Sequence, residues 1–163
     1  MKHLLFIYSI LFFAIAPGAK GYSPDVDRDS FYAAMRSDDL NAVNEQLDLL
    51  AKDSSKESKA FEGAMLMKKA GLVKGPFKKL KIFKKGHSLL EAALKLDSTN
   101  PEFRFLRLMI QENARKIVGY KSDLQTDSQI IQTDFSKMTP ELQQVIREYS
   151  KSSKVLAPAK LGA

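Results

Sequence analysis

A hydrolase needs an activated nucleophile with a base beside it. This chain has no cysteine and two histidines, His3 and His87. His3 falls in an apolar leader, so His87 is the one imidazole left to the folded part. No Gly-x-Ser-x-Gly turn presents a serine. His87 therefore reads as a surface or helix-flanking histidine rather than a base. One histidine and no thiolate cannot build a transition-metal site from nitrogen and sulfur ligands. Asp25-x-Asp27-x-Asp29 spaces its carboxylates as a calcium loop does, but the glycine and the closing glutamate of such a loop are missing, and Arg36 stands at the twelfth position. Those acids read instead as the capped start of a helix. Gly71-Leu72-Val73-Lys74-Gly75-Pro76 lacks the spacing and the Ser/Thr of a phosphate loop. No pair of carboxylates can be nominated for glycoside chemistry. The expectation is a protein that is not an enzyme, with no catalytic residue, cofactor or metal.

The residues that stand out are lysines. Residues 22–62 hold five bases and ten acids, and residues 91–163 hold eleven bases and nine acids. Between them, residues 63–90 hold eight lysines and no acid: Lys68, Lys69, Lys74, Lys78, Lys79, Lys81, Lys84 and Lys85. None is arginine, whose planar fork is favoured for phosphate and base recognition. An all-lysine block is a diffuse positive field, suited to an acidic partner, an anionic surface or plain solvation. Phe77 and Phe83 interleave with these lysines, a combination found in single-strand binders. The steps of three from Phe77 to Leu80 to Phe83 also fit an inward helical face, and core packing is the expected role. Nucleic acid is not an expected partner.

The elements that position these residues begin after the leader. Lys2 is followed by the apolar run Leu4 to Ala16, then Pro17, Gly18 and small residues. This is the layout of a secretory signal peptide. Its thirteen residues are short against the roughly 20 that cross a bilayer as a helix. Ala19-Lys20-Gly21 favours cleavage after Gly21, with Gly18 as the alternative. Residues 1–21 are thus expected to be removed and the protein exported, to the periplasm or beyond. Cleavage takes Lys2 and Lys20 and lowers the net charge from +7 to +5. No other segment is apolar enough to span a membrane, so a soluble mature chain is expected. Without cysteine, its stability rests on packing.

Residues 22–150 show helical spacing and no sustained alternation, and an all-α domain of about seven helices in antiparallel pairs is predicted. Asp29 or Ser30 should cap a short helix carrying Phe31, Tyr32, Ala34 and Met35. Asp38 or Asp39 should cap one carrying Leu40, Val43, Leu47 and Leu50. A helix from Ser54-Ser55 carries Ala60, Phe61, Ala64 and Met65, and its small residues Gly63, Ala64 and Ala70 permit a close neighbour. The segment 77–96 is expected to bend or break near Gly86-His87. Asn100 and Pro101 restart the chain as cap and first residue of a helix, apolar around much of its girth, running to about Val118; Arg104 and Arg107 are expected to point outward. A helix follows from Asp123 to Met138, and a last one from Thr139-Pro140. Residues 151–163 lack periodicity and read as a frayed, flexible tail.

The stretch Leu89-Leu90-Glu91-Ala92-Ala93-Leu94-Lys95-Leu96-Asp97-Ser98-Thr99-Asn100-Pro101-Glu102 resembles a junction between tetratricopeptide repeats. Ser98 replaces the usual proline and Pro101 comes later. Ala60-Phe61-Gly63-Ala64 resembles the small-residue spacing of a repeat's first helix. The resemblance covers residues 56–118, and the whole chain looks like a small exported bacterial protein. From Glu57 to Pro101 is 44 residues, against about 34 for the repeat, and the excess corresponds to the lysine-rich insertion 71–85. The resemblance implies a TPR-like scaffold that binds a protein partner, and it assigns no binding residue. The alternative is a peripheral protein meeting anionic lipid through Lys68–Lys85, with phenylalanine below and lysines above.

Overall fold

The computed structural model describes residues 26–113, 120 and 123–161. The fold is all-α, with seven helices and no strand among the described residues. They are α1 (Arg28–Arg36), α2 (Leu40–Leu50), α3 (Lys56–Leu72), α4 (Pro76–Leu96), α5 (Pro101–Asn113), α6 (Leu124–Asp134) and α7 (Pro140–Ser150). Short 3₁₀ turns cover Phe135–Lys137 and Pro158–Lys160. The predicted leader, residues 114–119 of the α5 segment and Gly119 as its end lie outside the described residues.

Local chemistry sets most of the starts. Asp39 accepts from the Asn41 amide at 2.8 Å and Ser55 from that of Ser58 at 3.1 Å. Asn100 accepts from the amides of Glu102 and Phe103, and Thr139 from that of Leu142. Each such cap is worth about 1 kcal/mol. At α1 the cap is Asp27, two residues before the predicted position; its carboxylate holds the Ser30 amide and hydroxyl, and Asp29 lies in the first turn. Asp27 thus caps α1, the role expected of the acidic lead-in.

α3 and α4 form an antiparallel hairpin. Its register runs from Lys79 against Gly71, through Gly86 against Gly63, to Lys56 against Asp97. Of the two alternatives expected at Gly86, a bent helix or a break, the break does not occur; the helix is continuous from Pro76 to Leu96. The glycine has another job. A Cβ on Gly86 would lie 2.5 Å from the Gly63 carbonyl oxygen, and one on Gly63 would lie 2.7 Å from that of Gly86. The two backbones touch, and no other residue fits at either position. The hairpin turn is made by Gly75 at φ +88°, a conformation that favours glycine, followed by Pro76 at the first helical position.

Phe31, Phe61, Met65, Leu90, Phe105, Leu106, Leu108, Ile131 and Ile146 form the dry centre. α5 is buried from Glu102 to Gln111 except at Arg104, as its all-round apolar pattern predicts. Two other expectations fail. The segment after Lys151 is packed rather than frayed: Leu156 is fully buried, Glu112 accepts from the Ser153 hydroxyl and the Lys154 amide, and the Ser128 hydroxyl donates to the Val155 carbonyl. Phe77 and Leu80 are not core residues; they are 88% and 45% exposed.

Candidate functional site

The hairpin sorts the eight lysines into two groups. Lys68 pairs with Asp38 at 3.2 Å, and Lys85 pairs with Glu62 at 3.2 Å. Glu62, also held by Lys59, keeps its carboxyl below the usual carboxylate range: burial works against the charge, and the hydrogen bonds from the two lysines outweigh it. Lys79 donates to the Gly71 carbonyl at 3.4 Å, closing the last turn of α3. These three lysines have structural partners. Lys69, Lys74, Lys78, Lys81 and Lys84 form no ion pair with a described residue. All but Lys69 are exposed.

The helix places Phe77 among the unpaired lysines. Successive residues turn by about 100°, so Lys81 and Lys84, four and seven positions on, share the face of Phe77. Leu80 borders that face. Gly86, nine positions on, points the opposite way, into α3. The half-buried Phe83 turns toward Tyr120, at 5.9 Å between ring centres. The outer side of α4 therefore carries the exposed Phe77 ring, the half-exposed Leu80, Lys81 and Lys84, with the exposed Lys78 about 100° round the helix and the exposed Lys74 in the turn before it. No acidic residue lies in the first turn of α4, and Gly75 supplies no capping side chain. The helix's positive end thus adds to the lysine field.

On α5 the departure from expectation is the opposite one. Arg104 and Arg107, predicted to point outward, turn inward onto Asp127, whose side chain is fully buried. Arg107 grips it with a fork, Nε to Oδ2 at 2.6 Å and Nη2 to Oδ1 at 2.8 Å. Arg104 Nη1 reaches the same carboxylate at 2.7 Å. Arg107 Nη1 extends to Glu91 at 3.2 Å and Asp123 at 3.6 Å. Glu91 in turn accepts from the Tyr120 hydroxyl. Burial opposes the charge on Arg107, but Asp127, Glu91 and Asp123 more than offset it and hold the guanidinium firmly protonated. Burial, then the Glu91 carboxylate, pushes the Tyr120 hydroxyl well above its ordinary range. One signal in the sequence pointed here: a helix apolar around its girth leaves its charged residues little solvent, so they must find partners.

His87 is half-buried, its ring edge-on to Tyr120 at 4.6 Å and stacked near Phe83 at 6.4 Å. It flanks the arginine cluster as an aromatic neighbour. Among the described residues, no group of three or more His, Asp or Glu side chains is placed to hold a metal ion. No described helix is long and apolar enough to cross a membrane. Comparison with protein families, with curated proteins and with solved structures found no match for this chain.

Proposed function

We propose that this chain is an exported, non-enzymatic helical binding protein whose contact surface is the outer face of residues 74–84. The single observation that supports it most is Phe77, 88% exposed on the same face as Lys81 and Lys84. A phenylalanine in water is unremarkable alone, but one that shares a helix face with exposed lysines that form no ion pair among the described residues is a surface suited to contact. The Gly63–Gly86 contact fixes that helix against the core, so the backbone of the face needs no ordering on binding. The buried arginine cluster and the partnered Lys68, Lys79 and Lys85 act as its support.

Immobilised residues 22–163 should retain material from a native envelope extract. Replacing Lys74, Lys78, Lys81 and Lys84 with glutamine should abolish retention. Replacing Lys137, Lys151 and Lys154 should leave it intact, since these lysines lie on other elements. Retention that survives the first set, or is lost equally with the second, would remove the face from the account.

A further inference from the structure

We infer that the occupant of this face is an anionic lipid bilayer, which residues 74–84 meet with Phe77 and Leu80 entering the headgroup region. The inference rests on the binding face proposed above and names its partner. Three features of the face carry it. The surface is the outside of α4 and the turn that precedes it, backed by α3, with Phe77 standing proud at 88% exposure rather than lining a groove. A projecting ring suits a fluid interface, which needs no matching pocket. The apolar pair lies amid four unpaired lysines spread over residues 74–84, about two to three turns of chain. That is the arrangement of a helix lying in the plane of a membrane, its apolar side chains down and its cations among phosphates. The four cations are all lysine, with long flexible stems that reach a headgroup layer from the flank of a helix. They make point contacts to a diffuse anionic surface and no bidentate fork to a single group.

The acids are arranged to agree with this. From residue 63 to residue 90 there is none. The two that approach from outside, Asp38 and Glu62, engage Lys68 and Lys85 rather than the four outer lysines. The segment meeting the bilayer carries lysines and no acid of its own, and charge complementarity then selects an anionic leaflet over a neutral one.

Sedimentation with vesicles tests the inference. The described fold begins at residue 26, so residues 22–163 keep all of it while omitting the apolar leader, which would partition into lipid by itself. This chain should bind phosphatidylglycerol-containing vesicles, ignore pure phosphatidylcholine vesicles and release as salt rises. Each lysine near an anionic leaflet strengthens binding about fivefold, so replacing Lys74, Lys78, Lys81 and Lys84 with glutamine should weaken it on the order of several hundredfold. Phe77→Ser should weaken it about tenfold or more. The chain has no tryptophan, so Phe77→Trp provides a single reporter, and its emission should shift to the blue on binding anionic vesicles. Glycerol phosphate in solution should not compete, because it offers no interface. Circular dichroism identical to the parent chain confirms that each variant is folded.

Binding to neutral vesicles as tight as to anionic ones would overturn the inference. So would tryptophan emission that stays put on binding, or competition by glycerol phosphate. Failure to bind any vesicle, while envelope retention still depends on the four lysines, would assign the face to an acidic protein and leave the binding-face reading standing. Failure of both would remove that reading as well.

Discussion

Arg104 and Arg107 of α5 and the lysines of α4 carry the same charge into opposite surroundings. The arginines are folded under α6 and clamped on Asp127, whose side chain has no exposure. The lysines at 74, 78, 81 and 84 face outward around an exposed phenylalanine. Side-chain chemistry accounts for the split. A guanidinium can satisfy a buried carboxylate with parallel bonds and reach further acceptors with its remaining nitrogens, as Arg107 does with Asp127, Glu91 and Asp123. A lysine ammonium is strongly hydrated and costs more to bury: Lys85 stays exposed while it holds the buried Glu62, and Lys68 is part-buried beside the exposed Asp38. One basic region is consumed in holding the fold, and the other remains available.

The contrast can be broken most severely at Asp127. Asp127→Ala removes the buried carboxylate that two inward-facing arginines share and should cost about 3–5 kcal/mol, read as a lower urea midpoint. A loss under 1 kcal/mol would mean that the cluster contributes little to the fold.

Gly86→Ala comes next, and its sign is the test. Helix propensity alone predicts a gain of about 1 kcal/mol. The added Cβ would lie 2.5 Å from the Gly63 carbonyl oxygen, and such overpacking of two backbones costs about 1–3 kcal/mol or more. The expected outcome is a lower melting temperature, and a higher one would show that α3 and α4 do not touch there.

A smaller effect is expected at the lysines. Replacing Lys74, Lys78, Lys81 and Lys84 one at a time with glutamine should change stability by less than about 0.5 kcal/mol each in thermal unfolding. A loss comparable to that at Asp127 would erase the distinction between a supporting and a presenting region.

The smallest effect is electrostatic. Glu62 titrates below its ordinary value of 4.5 because its bonds to Lys59 and Lys85 outweigh burial. The depressed value means that its contribution is complete above the unfolded carboxyl's pKa and fades as pH falls through the folded one. Glu62→Gln should therefore flatten the stability profile below about pH 4.5, measured by denaturant titration at stepped pH.

What was legible in the sequence was mostly local. Asp39, Ser55, Asn100-Pro101 and Thr139-Pro140 mark helix starts because a cap and its amides lie within three residues of each other. The lysine block was visible as composition. Which way it faced was not. Phe77, Leu80 and Phe83 share a spacing that suits an inward stripe, but the facing of α4 is set further along, where Gly86, Leu90 and Leu94 pack. Half a turn separates Phe77 from Gly86, so only Phe83 reaches a neighbour. The fork on Asp127 joins residues twenty positions apart, and Glu112 holds Lys154 from forty-two away. Such pairings have no period to read, which is why the arginines looked exposed and the tail looked loose.

Lysine footprinting tests the central claim most directly. The folded chain is briefly acetylated alone and with envelope membranes, and each lysine is followed by mass spectrometry. Membranes should slow the reaction at Lys74, Lys78, Lys81 and Lys84 while Lys137, Lys151 and Lys154 react as before. Protection centred on the latter lysines, or no protection at 74–84, would contradict the assignment of the α4 face as the contact surface.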